Sequence, residues 1–223
     1  MIILSQNCTD IAALRAYRNL DQEIGVTPLT LGQTETRKIA KAIRFAGLHK
    51  QKAKSLRKLG KIIAGNYSGT LSGTLQNPLE EARALLQELP NVGPKTADVL
   101  LALWGNPTIS VDTHVDRVSK RLGLAQQKAN YENVRTSLMQ LYNPKDYRAV
   151  PLLFMALGRK ICKAPVPRCF QCQVANLCPF PNKTLLGSRT AINMASLGKS
   201  RRAIHRRSRS RTKRSRSGVS RTA

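Results

Sequence analysis

The chain has 223 residues, enough for one large or two small domains with a buried core, and 41% of them are hydrophobic while only 4% are aromatic. Its 38 Lys and Arg against 12 Asp and Glu give a formal net charge of +26, a balance that selects a polyanionic partner. No window approaches the roughly eighteen apolar residues of a membrane span, and "MIILSQNC" is too short and too neutral for a signal peptide, so the charge points to nucleic acid and away from a membrane.

In chain order the periodicity predicts helices and no strand. Thr9 or Asp10 suits the N-cap of a helix over "IAALRAYRNLDQE". "ETRKIAKAIRFAGL" and "KAKSLRKLGKIIAGN" place Ile and Leu at three- and four-residue steps with basic residues between them, the pattern of amphipathic helices. From Asn66 and Tyr67 to Pro78, "NYSGTLSGTLQNP" reads as a turn-rich break. "LEEARALLQEL" predicts a helix that stops at Pro90, and further helices are predicted over 96–104, 112–122, 131–142 and 147–161. Most of the Leu and Ile side chains, the single Trp104 and the isolated Cys8 are expected in the core. Thirteen of the basic residues and no acid lie from Lys183 onward, so residues 1–182 hold 25 basic against 12 acidic side chains and are basic in their own right. The Ser/Arg-rich end, "KSRRAIHRRSRSRTKRSRSGVSRTA", cannot bury enough apolar surface to fold and reads as a disordered tail with affinity for any polyanion.

Three motifs carry chemistry. In "LPNVGPKTADVLL" a short turn joins two helices. Gly93 offers a turn conformation closed to most residues, Asn91 is the next most tolerant type for positive φ, and Pro94 suits a first helical position. Free backbone N–H groups around Asn91, Val92 and Gly93 can hold a phosphate without reading bases. Lys95 then falls in the first helical turn, poorly placed against the positive end of the macrodipole. A surface charge, a phosphate contact and a nucleophile are all open to it. Asp112, in "SVDTHVDRVSKRLG", suits an N-cap and equally a carboxylate held opposite Lys95, roles that do not exclude each other. His114 beside it is expected to be a structural hydrogen-bonding group rather than a metal ligand. Cys162, Cys169, Cys172 and Cys178 are spaced C-x6-C-x2-C-x5-C. With no export signal, disulfides are disfavoured. Four clustered thiolates suit zinc or an iron–sulfur cluster, and spacing alone does not separate the two.

In this order and spacing, "LPNVGPKTADVLL", "VDTH" and the cysteine cluster resemble the endonuclease III family, the helix–hairpin–helix DNA glycosylases of base-excision repair, over about residues 1–180. The resemblance implies an all-α, two-lobed fold. A helical-bundle lobe with the hairpin would span residues 1–107, an iron–sulfur lobe 108–182, and a disordered basic tail, foreign to the family, 183–223. It implies a structural 4Fe–4S cluster on Cys162, Cys169, Cys172 and Cys178. Its partner would be duplex DNA carrying a damaged base or an abasic site, bound by a monomer in the cleft between the lobes. Lys95 matches the family's catalytic lysine and Asp112 its catalytic aspartate. "LSQNCTD" resembles the stretch whose polar side chain fills the gap left by a flipped nucleotide, which puts the wedge on Asn7 with Gln6 beside it. The basic loop "KAPVPR" resembles the part that touches DNA phosphates, so Lys163 and Arg168 are candidate contacts. Family members carry a further N-terminal segment that packs on the cluster lobe, so the resemblance also admits a fragmentary, marginally stable or inactive protein. Oxidised pyrimidines are the family's usual substrates. The alternatives are a non-catalytic DNA-binding homologue and a monofunctional mismatch glycosylase, a branch that lacks the hairpin lysine.

The chemistry suits these roles. Breaking an N-glycosidic bond builds positive charge on the sugar, which a carboxylate stabilises. A primary amine that attacks C1′ goes on to a Schiff base, and the iminium acidifies the C2′ hydrogen so that the 3′ phosphate leaves by β-elimination. The lysine must first reach its neutral form, which partial burial and a helix N-terminus both favour.

Overall fold

Thr9 accepts a hydrogen bond from the Ala12 N–H and starts α2 (Asp10–Glu23), one of eleven α-helices in the computed structural model, which describes residues 1–185. No strand occurs among the described residues. Helices α1 (Ile2–Ser5), α3 (Pro28–Gln33), α4 (Thr36–Ala42) and α5 (His49–Asn66) join α2 around a first core that includes Leu4, Ala13, Leu20, Ile39 and Ile43. The closest crossing is α3 on α5. A Cβ on Gly60 would lie 2.7 Å from both the Gly32 nitrogen and the Pro28 carbonyl oxygen, so only glycine lets these backbones meet.

The predicted helix over 35–48 survives only as α4. Its last turns open where the chain passes close to the turn after α1: a Cβ on Gly47 would sit 3.0 Å from the Asn7 carbonyl oxygen, and Leu48 then adopts a left-handed conformation, φ 59°, at the N-cap of α5. A second core holds α6 (Ser72–Gln76), α7 (Leu79–Gln87) and α8 (Pro94–Trp104) together through Leu75, Leu86 and Leu101. Helix α6 forms inside the stretch read from sequence as a turn-rich break. A third core, around Val115, Val118, Val134, Leu138 and Phe154, unites α9 (Thr113–Arg121), α10 (Tyr131–Leu141) and α11 (Ala149–Lys160).

Two buried-residue expectations are corrected. Trp104 is 49% exposed, because α8 turns positions 97, 98 and 101 inward and Trp104 lies in its last turn, just before Gly105 ends the helix at φ 108°. Cys8 is half-buried, its thiol donating to the Leu4 carbonyl oxygen at 2.9 Å. Among the described residues no helix is long and apolar enough to cross a membrane. At the head of the basic C-terminal segment, Lys183 donates to the Ala175 carbonyl oxygen at 2.8 Å, and Thr184, 5% exposed, accepts from the Cys169 N–H at 3.1 Å. The rest of the Ser/Arg-rich tail lies outside the described residues.

Candidate active site and metal centre

The turn between α7 and α8 closes with the Val92 N–H on the Leu89 carbonyl oxygen, 3.1 Å, and Val92 is buried. Its left-handed residue is Asn91, φ 62°. Gly93 is extended, φ −90° and ψ −179°, and a Cβ there would meet nothing within 4 Å. The expectation that Gly93 supplies the special conformation is thus corrected: Asn, the most tolerant residue after Gly, supplies it. The Asn91 side-chain amide donates to the Ser55 hydroxyl of α5, which docks the turn on the first core. No side chain caps α8, and Pro94 has no N–H, so the N–H groups of Lys95 and Thr96 are left without intrahelical acceptors at the helix start. Lys95 is exposed, so the partial burial expected for it is absent from the free protein.

The N-terminal motif adjoins this turn. Gln6 reaches the Asn91 carbonyl oxygen and the Thr96 hydroxyl, each at 3.5 Å. Asn7 is exposed at φ 52°, beside Gly47 and Leu48. Leu48 was not singled out by sequence. It is an apolar side chain 53% exposed on a left-handed backbone, and nothing in a lone leucine after a glycine announces a positive φ. The adjoining surface is strongly positive. Lys50, Lys54, Lys58 and Lys61 lie along one side of α5, all exposed, on a helix with no acidic residue. None of them makes an ion pair with a described residue.

Asp112 is the N-cap of α9. Its Oδ1 accepts from the N–H groups of both His114 and Val115 at 2.8 Å. Among the described residues nothing donates to Oδ2, and the side chain is half-buried, so one carboxylate oxygen stays open to the surface. His114 pairs through Nδ1 with Arg117 at 3.1 Å and packs on Gly158, whose Cβ position lies 3.0 Å from the His114 ring. Arg117 also donates to the carbonyl oxygens of Cys162, 2.9 Å, and Gly158, 3.1 Å.

Sequence reasoning missed a buried polar cluster between α8 and α10. Asp98, fully buried, accepts a two-pronged bond from Arg83, Nε to Oδ1 at 2.8 Å and Nη2 to Oδ2 at 3.1 Å. Arg83 and Arg135, both 5% exposed, are balanced by Asp98 inside and by Glu80 and Glu132 at the rim. Partial burial alone would raise the Glu80 carboxyl, but its bonds to Arg135 and then Arg83 outweigh that and hold it below the usual carboxylate range. Burial likewise disfavours charge on Arg83, yet Glu132 and Asp98 more than compensate and hold it protonated.

All four clustered cysteines are half-buried free thiols, and they line one cavity together with Arg121, Leu157 and Phe180. Arg121 Nη1 stands 3.5 Å from Cys162 Sγ and donates to the Lys163 carbonyl oxygen at 2.7 Å, while Nη2 donates to that of Ala164 at 2.8 Å. The Arg121 carbonyl accepts from the Cys178 thiol at 3.2 Å, and its guanidinium lies over Phe180, 4.6 Å from the ring centre. Among the described residues no group of three or more His, Cys, Asp or Glu is drawn together as tightly as a metal site. Of the loop cations, Lys163 is half-buried and Arg168 exposed.

Comparison with known proteins places this geometry in context. Residues 1–144 match a family model described as HhH-GPD superfamily base excision DNA repair protein. Endonuclease III of Bacillus subtilis is 35% identical over 178 residues, 79% of this chain and 77% of the relative. Endonuclease III of Rickettsia felis is 37% identical over 188 residues, 83% of each chain. A solved structure of a trapped endonuclease III–DNA covalent intermediate superimposes with a TM-score of 0.70 at 32% identity over 80% of each chain.

Proposed function

We propose, for a chain that belongs to the endonuclease III family within the HhH-GPD superfamily of base excision DNA repair proteins, that Lys95 is the nucleophile and Asp112 the electrostatic partner of its reaction. The protein is a base-excision DNA glycosylase and abasic-site lyase acting on duplex DNA. Two observations support the residue assignment: Lys95 is exposed at an uncapped helix start, and Asp112 keeps one carboxylate oxygen unpaired.

In this reading the Lys95 amine gives its lone pair to C1′ as the C1′–N bond breaks and the base leaves with that bonding pair. Asp112 Oδ2 stabilises the positive charge building on the sugar. The nitrogen then loses a proton and its lone pair opens the sugar ring, the C1′–O4′ bond breaking with its electrons to O4′, which is protonated. The Schiff base so formed acidifies C2′, whose proton is removed as the 3′ phosphate departs. Because Lys95 is exposed in the free protein, the duplex itself excludes water from the amine when it closes over the hairpin. The N–H groups of Lys95 and Thr96 and the turn residues Asn91, Val92 and Gly93 hold a backbone phosphate. Asn7, with Gln6 beside it, fills the gap of the flipped nucleotide, and the exposed Leu48 is an apolar wedge against neighbouring bases. Lys163 and Arg168 contact phosphates beside the cysteine loop. The substrate class is oxidised pyrimidines.

The donor set fits a 4Fe–4S cluster: four thiols round one cavity, with the Arg121 guanidinium beside Cys162 to offset the negative charge of thiolate ligation. Cys162, Cys169, Cys172 and Cys178 would hold it, and bound there it supplies ligation energy to the fold rather than a step in base removal.

Borohydride reduction during turnover on abasic duplex tests the assignment. A covalent protein–DNA adduct should form, and Lys95→Gln should abolish both the adduct and strand cleavage while duplex binding persists. Trapping that survives in the variant would move the nucleophile to another amine.

A further inference from the structure

Asp98 stands one helical turn after Lys95 on α8, facing inward with no exposed surface. A carboxylate so deeply buried is tolerable only when its lone pairs are taken, and here they are. Besides the Arg83 fork, Thr108 donates to Oδ1 at 2.8 Å and the Tyr131 hydroxyl to Oδ2 at 2.7 Å. Arg135 Nε donates to Thr108 at 3.1 Å and lies 3.3 Å from Oδ1. These partners arrive from α7, from the segment leading into α9, and from α10. The Tyr131 hydroxyl has a second bond that matters more: it accepts the Val111 N–H at 3.3 Å. Val111 is the residue before Asp112. The path from the helix of Lys95 to the backbone of Asp112 therefore contains two hydrogen bonds and one phenol.

We propose that Asp98, acting through Tyr131, is a positioning residue that sets the register of Lys95 against Asp112. The inference rests on the roles proposed above for those two residues. Neither Asp98 nor Tyr131 reaches the reacting atoms. A buried ion pair is a poor way to gain stability compared with apolar packing, but a carboxylate gripped by a planar fork and two hydroxyls is highly directional. Directionality is what two catalytic groups on separate segments need, since a misplacement of about 1 Å can cost roughly a hundredfold in rate. The link also holds its chemical form. Burial, and then the Asp98 charge, push the Tyr131 phenol well above its ordinary value, so it stays protonated and can donate to Asp98 while accepting from Val111.

The two chemical steps sense this register differently. Base excision uses Lys95 and Asp112 together, whereas β-elimination at a preformed abasic site needs only the lysine. Tyr131→Phe removes both bonds of the hydroxyl and keeps the ring. In single-turnover assays it should slow excision from a damaged duplex by about tenfold to a hundredfold, while elimination on a preformed abasic site and duplex affinity stay within about twofold. Thr108→Val removes one of the two hydroxyls that hold Asp98 but keeps the Tyr131–Val111 bond, and should shift the ratio of excision to elimination in the same direction by less than Tyr131→Phe. Should Tyr131→Phe fail to fold, the ratio is read on Asp98→Asn, which should shift it the same way. Wild-type excision by Tyr131→Phe, or parallel losses in both steps, overturns the positioning role. Wild-type protein that neither excises nor forms the covalent adduct overturns instead the assignment of Lys95 and Asp112 on which it rests.

Discussion

Replacing Asp112 by Asn separates its cap from its charge. Both cap bonds fall on Oδ1, at 2.8 Å each, and an asparagine carbonyl oxygen can accept the same pair, Asn and Asp being about equal as N-caps. What Asn loses for stability is the attraction between a carboxylate and the helix start, about 0.3–1 kcal/mol. For a chain of this length, each kcal/mol moves Tm by roughly 2–4 °C, so the variant should melt within about 4 °C of wild type. Asp112→Ala also loses the cap, a further 0.5–2 kcal/mol or so. Excision should respond on another scale. Removing one preorganised electrostatic partner of a developing charge costs roughly a hundred- to a thousandfold in rate, about 2.7–4 kcal/mol, and both variants lose that charge. Single-turnover excision from a damaged duplex, with circular-dichroism melting on the same preparations, reads the two quantities. Asp112→Asn that excises within threefold or so of wild type would reduce Asp112 to a cap and remove it from the chemistry, since a rate factor that small is under 1 kcal/mol.

Wild-type protein purified without oxygen should be brown and carry about four irons and no stoichiometric zinc, and Cys169→Ser should lose the iron and much of the helicity; a colourless protein with one zinc would refute the cluster. Glu80→Gln should destabilise the protein at neutral pH but not in acid. The Arg135 and Arg83 bonds lower the folded Glu80 pKa, so its contribution is present above the unfolded value, about 4.3, and vanishes as pH falls through the folded one. Urea midpoints of wild type and variant should therefore draw together as pH falls below the unfolded value and on through the lower folded one, and a gap that widens there would contradict the sign.

What the sequence disclosed was local. Thr9 and Asp112 announce themselves as caps because an N-cap bond spans two or three residues, and the cysteines because ligand spacing is a short-range property. The turn was legible as a turn, but assigning its special conformation to Gly93 rather than Asn91 followed composition where geometry decided: Val92 must point into the core, and that forces the residue before it to φ 62°. Helix α6 was hidden because Ser, Gly and Thr dominate it; only Thr74 and Leu75 of its five residues are buried, and Leu75 alone is a buried hydrophobic. The Asp98 cluster left no trace at all. Its partners lie 10, 15 and 33 residues away, and Asp98 sits in "TADVLL" where an inward-facing charge breaks the helical pattern rather than continuing it.

The scarcity of acids explains why that cluster looks as it does. From Thr36 through Leu79 there are ten Lys and Arg and no Asp or Glu, a stretch that builds α4 and α5 beside the hairpin. Its cations are exposed apart from Lys52, buried on the Leu4 carbonyl oxygen, and the half-buried Arg57. Exposed like charges of this kind repel one another only weakly through salt solution, and phosphates relieve the repulsion on binding, with release of counterions. Arg83 and Arg135 have no such recourse, since a buried guanidinium must be met by protein carboxylates. Asp98, Glu80 and Glu132 serve them. An additional acid on α5 would pair with its lysines in the free protein and compete with DNA for them. The division follows from solvation: the two buried guanidiniums are met by carboxylates, while the exposed cations of α4 and α5, left for phosphate, have none on their own stretch of chain.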